Sequence, residues 1–364
     1  MSKFSILVTG NAISETILSA TDPVHFGEKY TVPATKGMGG SGTNYARRLL
    51  TWGADVFPIL LVGNDPAGIM MRDVLFEAAI QGRTSIAVRT YLSEPAFMVP
   101  GARTLQSTIL LANGRRTIFS HEPQMADNFI RHLGERTLAA ERAIDGAPSA
   151  VMIGHLYGDR GRRDPSTQGL CTHWLVEHFH ERAFTLINFG RTQLGLGARF
   201  WEKLLEKSDL FQCNVQELGL LFAATGDRER KLSWMIEWLR ERIPAVVVTA
   251  GHLGALGVCR GIDRKTCMAA PSPLPVKDST GSGDAFAAGL VSHLAKEKNP
   301  TFDNLCQAMS IARTWAAFAC DERGGSGPAP GPEFLQRLNE VEKSREPITI
   351  FKDPHSVFAA WYES

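Results

Sequence analysis

The 364-residue chain contains no stretch of about 18 consecutive apolar residues, so no membrane span is expected. Its 6 cysteines (Cys171, Cys213, Cys259, Cys267, Cys306, Cys320) include no Cys-x-x-Cys pair. That excludes the common zinc and redox spacings, and the cysteines read as buried thiols of a reducing compartment. Neither sign of charge is in excess. The chain has 39 Lys and Arg against 38 Asp and Glu, a net charge of +1, and no basic or acidic block. This argues against nucleic acid or an anionic membrane as the main partner. No internal repeat is found. The apolar run in Met1–Val8 is too short for a signal peptide and reads as a first strand, which points to a cytoplasmic protein.

What is present supports a large folded unit. Apolar residues make up 44% and charged residues 21%, enough for a sizeable core and against disorder. The length nominally holds two or three domains, but large α/β enzymes often run this long as one.

The chain is organised around Asp278-Ser279-Thr280-Gly281-Ser282-Gly283-Asp284-Ala285-Phe286. It follows a proline-spaced turn (Pro271, Pro273, Pro275) and leads into a helical pattern. Glycines around Ser282 at a helix start leave outward-facing N–H groups and the positive end of the helix dipole, which together make an anion site. Asp284 next to a bound phosphate would repel it, so a carboxylate there needs a purpose. One reading is a general base taking a proton from a hydroxyl that attacks the phosphate. The other is a plain Gly-rich turn with a first-turn helix acid.

From about residue 150 the chain alternates strand and helix. Strands are expected at 150–153, 184–188, 209–213, 245–249 and 256–259, with helices between and after them. Such alternation predicts a doubly wound, largely parallel α/β sheet flanked by helices. Earlier, Phe26 to Val32 alternates as a strand apart from the main layer, and residues 106–111 and 116–119 flank an Asn113-Gly114 hairpin signal. These predict a small separate sheet able to cover a site, with an edge extension of the main sheet as the alternative. Gly37 to Gly42 satisfies G-x-G-x-x-G. The preceding segment is polar and carries Pro33, so a dinucleotide fingerprint is the weaker reading. The stronger is a glycine turn bringing Asn44 close to a small polar ligand.

Read together, Gly39-Gly40-Ser41-Gly42-Thr43-Asn44 and Val62-Gly63-Asn64-Asp65-Pro66-Ala67-Gly68 resemble the N-terminal signature of the ribokinase-like (PfkB) sugar and nucleoside kinases. The stretch Asp278–Phe286 resembles the C-terminal signature of that family, and Asn214-Val215-Gln216-Glu217 its Asn-x-x-Glu motif. The resemblance covers about residues 4–340. It implies a doubly wound α/β domain over 1–344 with a small β-sheet lid from about 15–36 and 90–120, followed by an extension over 345–364. It implies Asp284 as base and the Gly281, Ser282 and Gly283 amides as anion hole. Asn214 and Glu217 would act on Mg²⁺ through water. Asn188, Thr249, Gly251 and Gly254 would bind ATP, and Glu15, Gly39, Gly40 and Asn44 the substrate. Without the resemblance, Asn214 and Glu217 read as a helix cap with its partner acid three residues on.

Four positions depart from the family pattern. Glu15 stands where an Asp grips substrate hydroxyls. Arg313 replaces a small polar residue near the adenine, and Gly154-His155-Leu156-Tyr157 replaces an acidic substrate contact. Pro328 falls in a loop that often completes a monovalent-cation site, which argues against K⁺ activation although Asp278 and Thr280 are retained. The expected acceptor is a small sugar or sugar derivative, with a nucleoside as alternative. His155, Tyr157, Arg103, Arg116 and His121 join Glu15 as candidates for the pocket lining. A binding or regulatory protein on the kinase scaffold is the rival from another class, and a homodimer through the lid is open.

Overall fold

The computed structural model describes residues 4–21, 23–25, 27–112, 115–121, 129–160, 165–223, 231–262, 265–322, 325–342 and 346–352. The Asn113-Gly114 turn, Lys343 at the end of the last expected helix, and Trp361 and Tyr362 lie outside the described residues.

In chain order the elements are β1 (Ser5–Gly10), β2 (Ile13–Ser19), β3 (Ala34–Gly39), α1 (Ser41–Trp52), β4 (Asp55–Leu60), α2 (Pro66–Gln81), α3 (Ile86–Ser93), β5 (Leu105–Ala112) and β6 (Arg115–Ser120). Next come α4 (Phe129–Ile144), β7 (Ala150–Ile153), α5 (Leu170–Phe179), β8 (Phe184–Ile187), α6 (Arg191–Leu194), α7 (Ala198–Leu205), β9 (Leu210–Asn214), α8 (Val215–Ala223) and α9 (Leu232–Arg240). The chain continues with β10 (Ala245–Thr249), β11 (Ala255–Cys259), β12 (Thr266–Ala269), α10 (Ser282–Leu294), α11 (Phe302–Asp321), α12 (Pro332–Glu342) and β13 (Ile348–Phe351).

The main sheet has nine strands in the order β13-β12-β11-β10-β9-β8-β7-β1-β4. From β4 to β10 the pairs are parallel, and β11, β12 and β13 add antiparallel neighbours. Parallel strands covered by helices on both faces are buried on both faces, so they read as continuous apolar runs. Ile6-Leu7-Val8 and Val246-Val247-Val248 are such runs, and all six residues are fully buried. β1, β8, β9 and β10 end at one edge of the sheet, where open α/β folds bind ligands. Those ends carry Gly10, Asn188, Asn214 and Thr249.

A second sheet of four strands, β3-β2-β5-β6, stands apart. β2 pairs antiparallel with β3 and parallel with β5, and β5 pairs antiparallel with β6. β5 and β6 form the antiparallel pair expected at 106–111 and 116–119, while the early part of the sheet differs from the expectation. The early strands are 13–19 and 34–39, and the described residues of 27–33 form no strand. The apolar members of 26–32 are interrupted by the polar run Gly27-Glu28-Lys29, whereas Ile13, Thr16, Ile17 and Leu18 supply a denser apolar surface. The helix expected over 45–52 starts four residues earlier at Ser41, and that expected over 166–181 is the shorter α5. α3, α4, β12 and β13 were not anticipated.

The core is continuous around the main sheet. Phe211 on β9 is fully buried and meets Phe189 edge-on with ring centroids 5.5 Å apart. Phe211→Ala should lower the unfolding free energy by about 3–5 kcal/mol, read from the urea midpoint. A loss under about 1 kcal/mol would mean that the sheet re-packs around the cavity.

Candidate active site

α1 and α10 begin side by side, and their first turns form the centre of the site. α10 starts at Ser282 after Gly281, whose φ of 72° is left-handed. A Cβ at Gly281 would lie 2.5 Å from the carbonyl oxygen of Gly325, so both the conformation and the close approach require glycine. As second and third residues of the helix, Gly283 and Asp284 have amides with no carbonyl one turn back to bond. A Cβ placed on Gly283 meets nothing within 4 Å, so the space in front of this turn is open. Thr280 donates to Asp278 Oδ1 through its N–H (2.9 Å) and hydroxyl (2.6 Å), fixing the turn before the helix.

Asn44, in the first turn of α1, donates from Nδ2 to Asp284 Oδ2 at 2.6 Å. A carboxylate only accepts, so this bond assigns the amide orientation. Asn44 is 4% exposed, and its Oδ1 is buried with no partner among the described residues. The next residue, Tyr45, is fully buried and donates to Asn188 Oδ1 at 2.9 Å. Burial, then the charges of Asp284 and Glu217, hold its phenol well above the usual range.

Glu217 lies on the far side of Asp284. Its Oε2 accepts from the Asn214 N–H (2.9 Å) and Asn214 Oδ1 accepts from the Glu217 N–H (2.8 Å). This is the reciprocal capping arrangement, and it fixes the carboxylate at the start of α8. Burial raises the Glu217 carboxyl above its usual value, the Asn214 N–H and the nearby His155 oppose that, and Asp284 adds to it.

A cavity of about 520 Å³ opens beside the α10 turn. Ser282 and Gly283 line it together with Thr249, Gly251 and Gly254 from the end of β10. Of the four residues expected to contact ATP, only Asn188 is absent from the lining. It is 5% exposed, and its amide donates to the Gln212 carbonyl at 2.9 Å and to Gln212 Oε1 at 2.5 Å. Both ends of its side chain are thus engaged inside the protein. Arg313 lines the cavity wall. Its guanidinium donates to both Glu342 carboxylate oxygens on α12 (3.0 Å for Nη1 to Oε2) and to the carbonyls of Ala270 and Pro271 (3.2 Å for the latter).

On the opposite side of Asp284, β2 and β3 place Glu15 against Gly39. A Cβ on Gly39 would lie 2.1 Å from Glu15 Oε1, and one on Gly40 would lie 2.3 Å from the Asn11 carbonyl oxygen. Asn11 Oδ1 accepts from the Tyr157 N–H (3.1 Å), and Ser41 Oγ from the His155 N–H (2.9 Å). The segment bearing His155 and Tyr157 thereby reaches the same end of the sheet. Arg103 and His121 are exposed. Arg103 acts on Asp65, and His121 sits 3.3 Å from Thr108, so neither joins the group around Asp284. The Arg116 side chain lies outside the described residues.

Sequence reasoning missed three buried groups. One is Tyr45. The second is Arg48, 1% exposed, on the same face of α1 as Asn44. The third is Asp159, fully buried beneath the His155–Tyr157 segment. Their only signal was position: Tyr45 and Arg48 follow the glycine turn directly, and Asp159 follows Tyr157 by two residues.

Residues 181–331 match the model of the pfkB family of carbohydrate kinases. Over most of its length the chain is similar to two curated proteins. It is 26% identical to the acarbose 7(IV)-phosphotransferase of an Actinoplanes species, covering 80% of this chain and 86% of that one. It is 24% identical to the fructokinase of Salmonella typhimurium, covering 82% and 91%. Among solved structures, the ATP-bound fructokinase of Xylella fastidiosa shares the fold with a TM-score of 0.69 at 16% identity, covering 93% of this chain and 99% of that one. The ribokinase of Giardia lamblia gives 0.68 at 17%, covering 93% and 99%. The match to the pfkB carbohydrate kinases spans residues 181–331, and the fold of the chain is that of the ribokinase-like structures. The chain is a small-molecule kinase that transfers a phosphoryl group to a hydroxyl.

Asp159 supports the acceptor end of this site from below. It accepts from the N–H groups of Cys171 (2.9 Å) and Thr172 (3.1 Å), from the Thr172 hydroxyl, and from Gln193 Nε2 (3.1 Å). Gln193 Oε1 accepts from the Leu156 and Gly190 N–H groups. Burial outweighs these donors and lifts the Asp159 carboxyl from 3.8 to about 6. A carboxyl raised in the folded state stabilises the protein fully below its unfolded value, and that contribution is lost as pH rises through the folded value. From about pH 4 to about pH 7 the stability difference should move toward Asp159→Asn by up to about 3 kcal/mol, measured by urea unfolding. A difference that does not vary with pH would show that the folded carboxyl titrates at its ordinary value.

Proposed function

We propose that the chain uses ATP to phosphorylate a hydroxyl of a small sugar or sugar derivative, with Asp284 as the general base. The observation that carries this reading is the position of Asp284. It follows an open glycine turn at a helix N-terminus, with the cavity lined by Thr249, Gly251 and Gly254 on one side and Asn44 bonded to it on the other.

In this reading ATP occupies the cavity with its terminal phosphate at the α10 turn. The acceptor hydroxyl gives its proton to the Asp284 carboxylate as its oxygen attacks the phosphorus, and the bond to the leaving ADP oxygen breaks. Negative charge spreads over the phosphoryl oxygens, where the amides of the Gly281–Gly283 turn and the positive end of α10 stabilise it. The bond from Asn44 keeps the Asp284 carboxylate aimed at the acceptor. Asn214 and Glu217 would hold Mg²⁺ through water, and the ion would neutralise phosphate charge. The carbonyls of Gly325 and Pro328 already accept from the Arg48 cation, which supports a kinase that works without K⁺.

A sugar acceptor is supported by the two relatives, both named for acting on carbohydrates, and by the polar groups facing the acceptor end. Glu15 can accept from hydroxyls, and Asn44 Oδ1 is a buried acceptor with no partner among the described residues. Glu15 has one methylene more than the aspartate of the family pattern, which moves the carboxylate by about 1.5 Å and changes which hydroxyls it reaches. The four-stranded sheet carrying Glu15 would act as the lid.

The test is a phosphorylation screen with ATP and Mg²⁺ against monosaccharides, amino-cyclitol and oligosaccharide derivatives, and nucleosides. Turnover confined to carbohydrates is expected, and turnover confined to nucleosides would replace the acceptor class. With the best acceptor, Asp284→Asn should cut kcat about 10²- to 10⁴-fold with little change in ATP binding. Unchanged kcat would remove Asp284 from the role of base.

A further inference from the structure

We propose that Arg48 is a built-in cation that braces the phosphoryl-binding turn, a positioning residue for transfer that acts without touching the substrate. The proposal rests on the kinase reading above.

Arg48 is almost wholly buried, an expensive place for a guanidinium unless its charge is used. Its Nη1 donates to the Pro328 carbonyl and its Nη2 to the Gly325 carbonyl, each at 3.0 Å. Arg47, the preceding residue, donates to the Ser326 carbonyl between them. Thus two adjacent arginines of α1 hold successive carbonyls of one loop, and their directions converge only because that loop folds back over the helix. The loop is the wall of the site. Gly325 is the backbone against which Gly281 packs, and its Cα side faces the Asn44 amide, which lies 3.2 Å from the position a Cβ would take. Any retreat of Gly325 would free Gly281 and loosen both the turn and the Asn44–Asp284 bond.

The charged neighbours of Arg48 suit this role. Asp284 and Glu322 act on it as opposite charges, Arg47 as a like one, and burial brings its pKa down to about 10. The guanidinium therefore stays charged at neutral pH. Glu322 also lies close to Gly327, its Oε2 2.5 Å from the position of a Cβ there, which places an acid under the same loop. A cation fixed behind an anion site adds favourable field where transferring phosphoryl charge develops, and being preorganised it costs no reorganisation during reaction.

The experiment compares Arg48→Met, Arg48→Lys and Arg48→Ala with the wild type. Hydrogen–deuterium exchange of the 281–285 and 325–329 amides is read first, with thermal melting as a control on folding. Faster exchange confined to these two segments is expected in Arg48→Met. Phosphoryl transfer is read second. For Arg48→Met, kcat should fall about 10- to 100-fold with the acceptor KM changed far less, as expected for lost positioning. Arg48→Lys should fall between, and guanidinium ion added to Arg48→Ala should restore part of kcat. Unchanged exchange overturns the bracing. Faster exchange with unchanged kcat overturns its part in transfer, as does a loss of kcat that guanidinium does not relieve. If the wild type transfers no phosphate at all, the kinase reading fails on that result alone, and the exchange data still decide whether Arg48 holds the turn.

Discussion

One hydrogen bond, from Asn44 to Asp284, joins residues 240 positions apart at 2.6 Å, and the rest of the site is built to keep it. Its two ends sit in the first turns of two helices, so both positive helix ends point at one carboxylate. A bond to a charged acceptor is worth about 1.5–3 kcal/mol when buried, but its geometric effect is larger. It fixes the Asp284 carboxylate relative to α1, and α1 follows directly from β3. The sheet that carries Glu15 and the helix that carries the acid are thereby held in one frame. The glycines serve the same end. Gly40 clears the Asn11 carbonyl and Gly281 clears Gly325, which lets the two helix starts approach.

α1 does most of this work through consecutive residues on different faces. Asn44 and Arg48, four apart, face α10 and the 325–328 loop. Tyr45 turns toward β8 and bonds Asn188, which in turn bonds Gln212 on β9. This chain of buried polar groups ties α1 to the ends of two core strands. Buried donors and acceptors left unpaired are costly, so the chain specifies one position for the helix where apolar packing alone would tolerate several. The asparagine expected near the phosphates is used here to seat the helix.

Much of the fold was legible because parallel strands buried on both faces have no alternative to continuous apolar runs. Ser5–Thr9 and Ala245–Thr249 could be read almost to the residue. The separate sheet was legible in part: its hairpin strands β5 and β6 fall where 106–111 and 116–119 were expected, and its early strands do not. Its strands have one exposed face and mixed polar residues, and the same composition occurs in the loop between β2 and β3. In the site, the glycine turns and Asp284 were legible because the chemistry demands those residue types. Arg48 was not, since an arginine in an amphipathic helix ordinarily faces water, and only the fold of residues 325–328 back over α1 buries it. Arg313 was noticed for its place, yet its partner Glu342 could not be, because the contact depends on where α12 docks.

The distribution of charge explains how the two halves of the site divide their tasks. Asp284 lies close enough to Glu217 to disfavour the ionised form of the Glu217 carboxyl. Opposing that are fixed positive elements: the Arg48 guanidinium, the start of α10, and the start of α8 capped by Asn214. On the proposed reading, a phosphate entering between them would meet donors that are already oriented and need not be recruited from solvent. At the other end, around Glu15, Asn11 and the free oxygen of Asn44, there is no buried cation of this kind among the described residues, and the groups present are chiefly acceptors. Such a surface favours a neutral ligand rich in hydroxyl donors and disfavours an anionic one. On the proposed reading, charge handling and acceptor recognition would meet at the bonded pair of Asn44 and Asp284, and a change at Glu15 would alter the acceptor without disturbing the phosphoryl end.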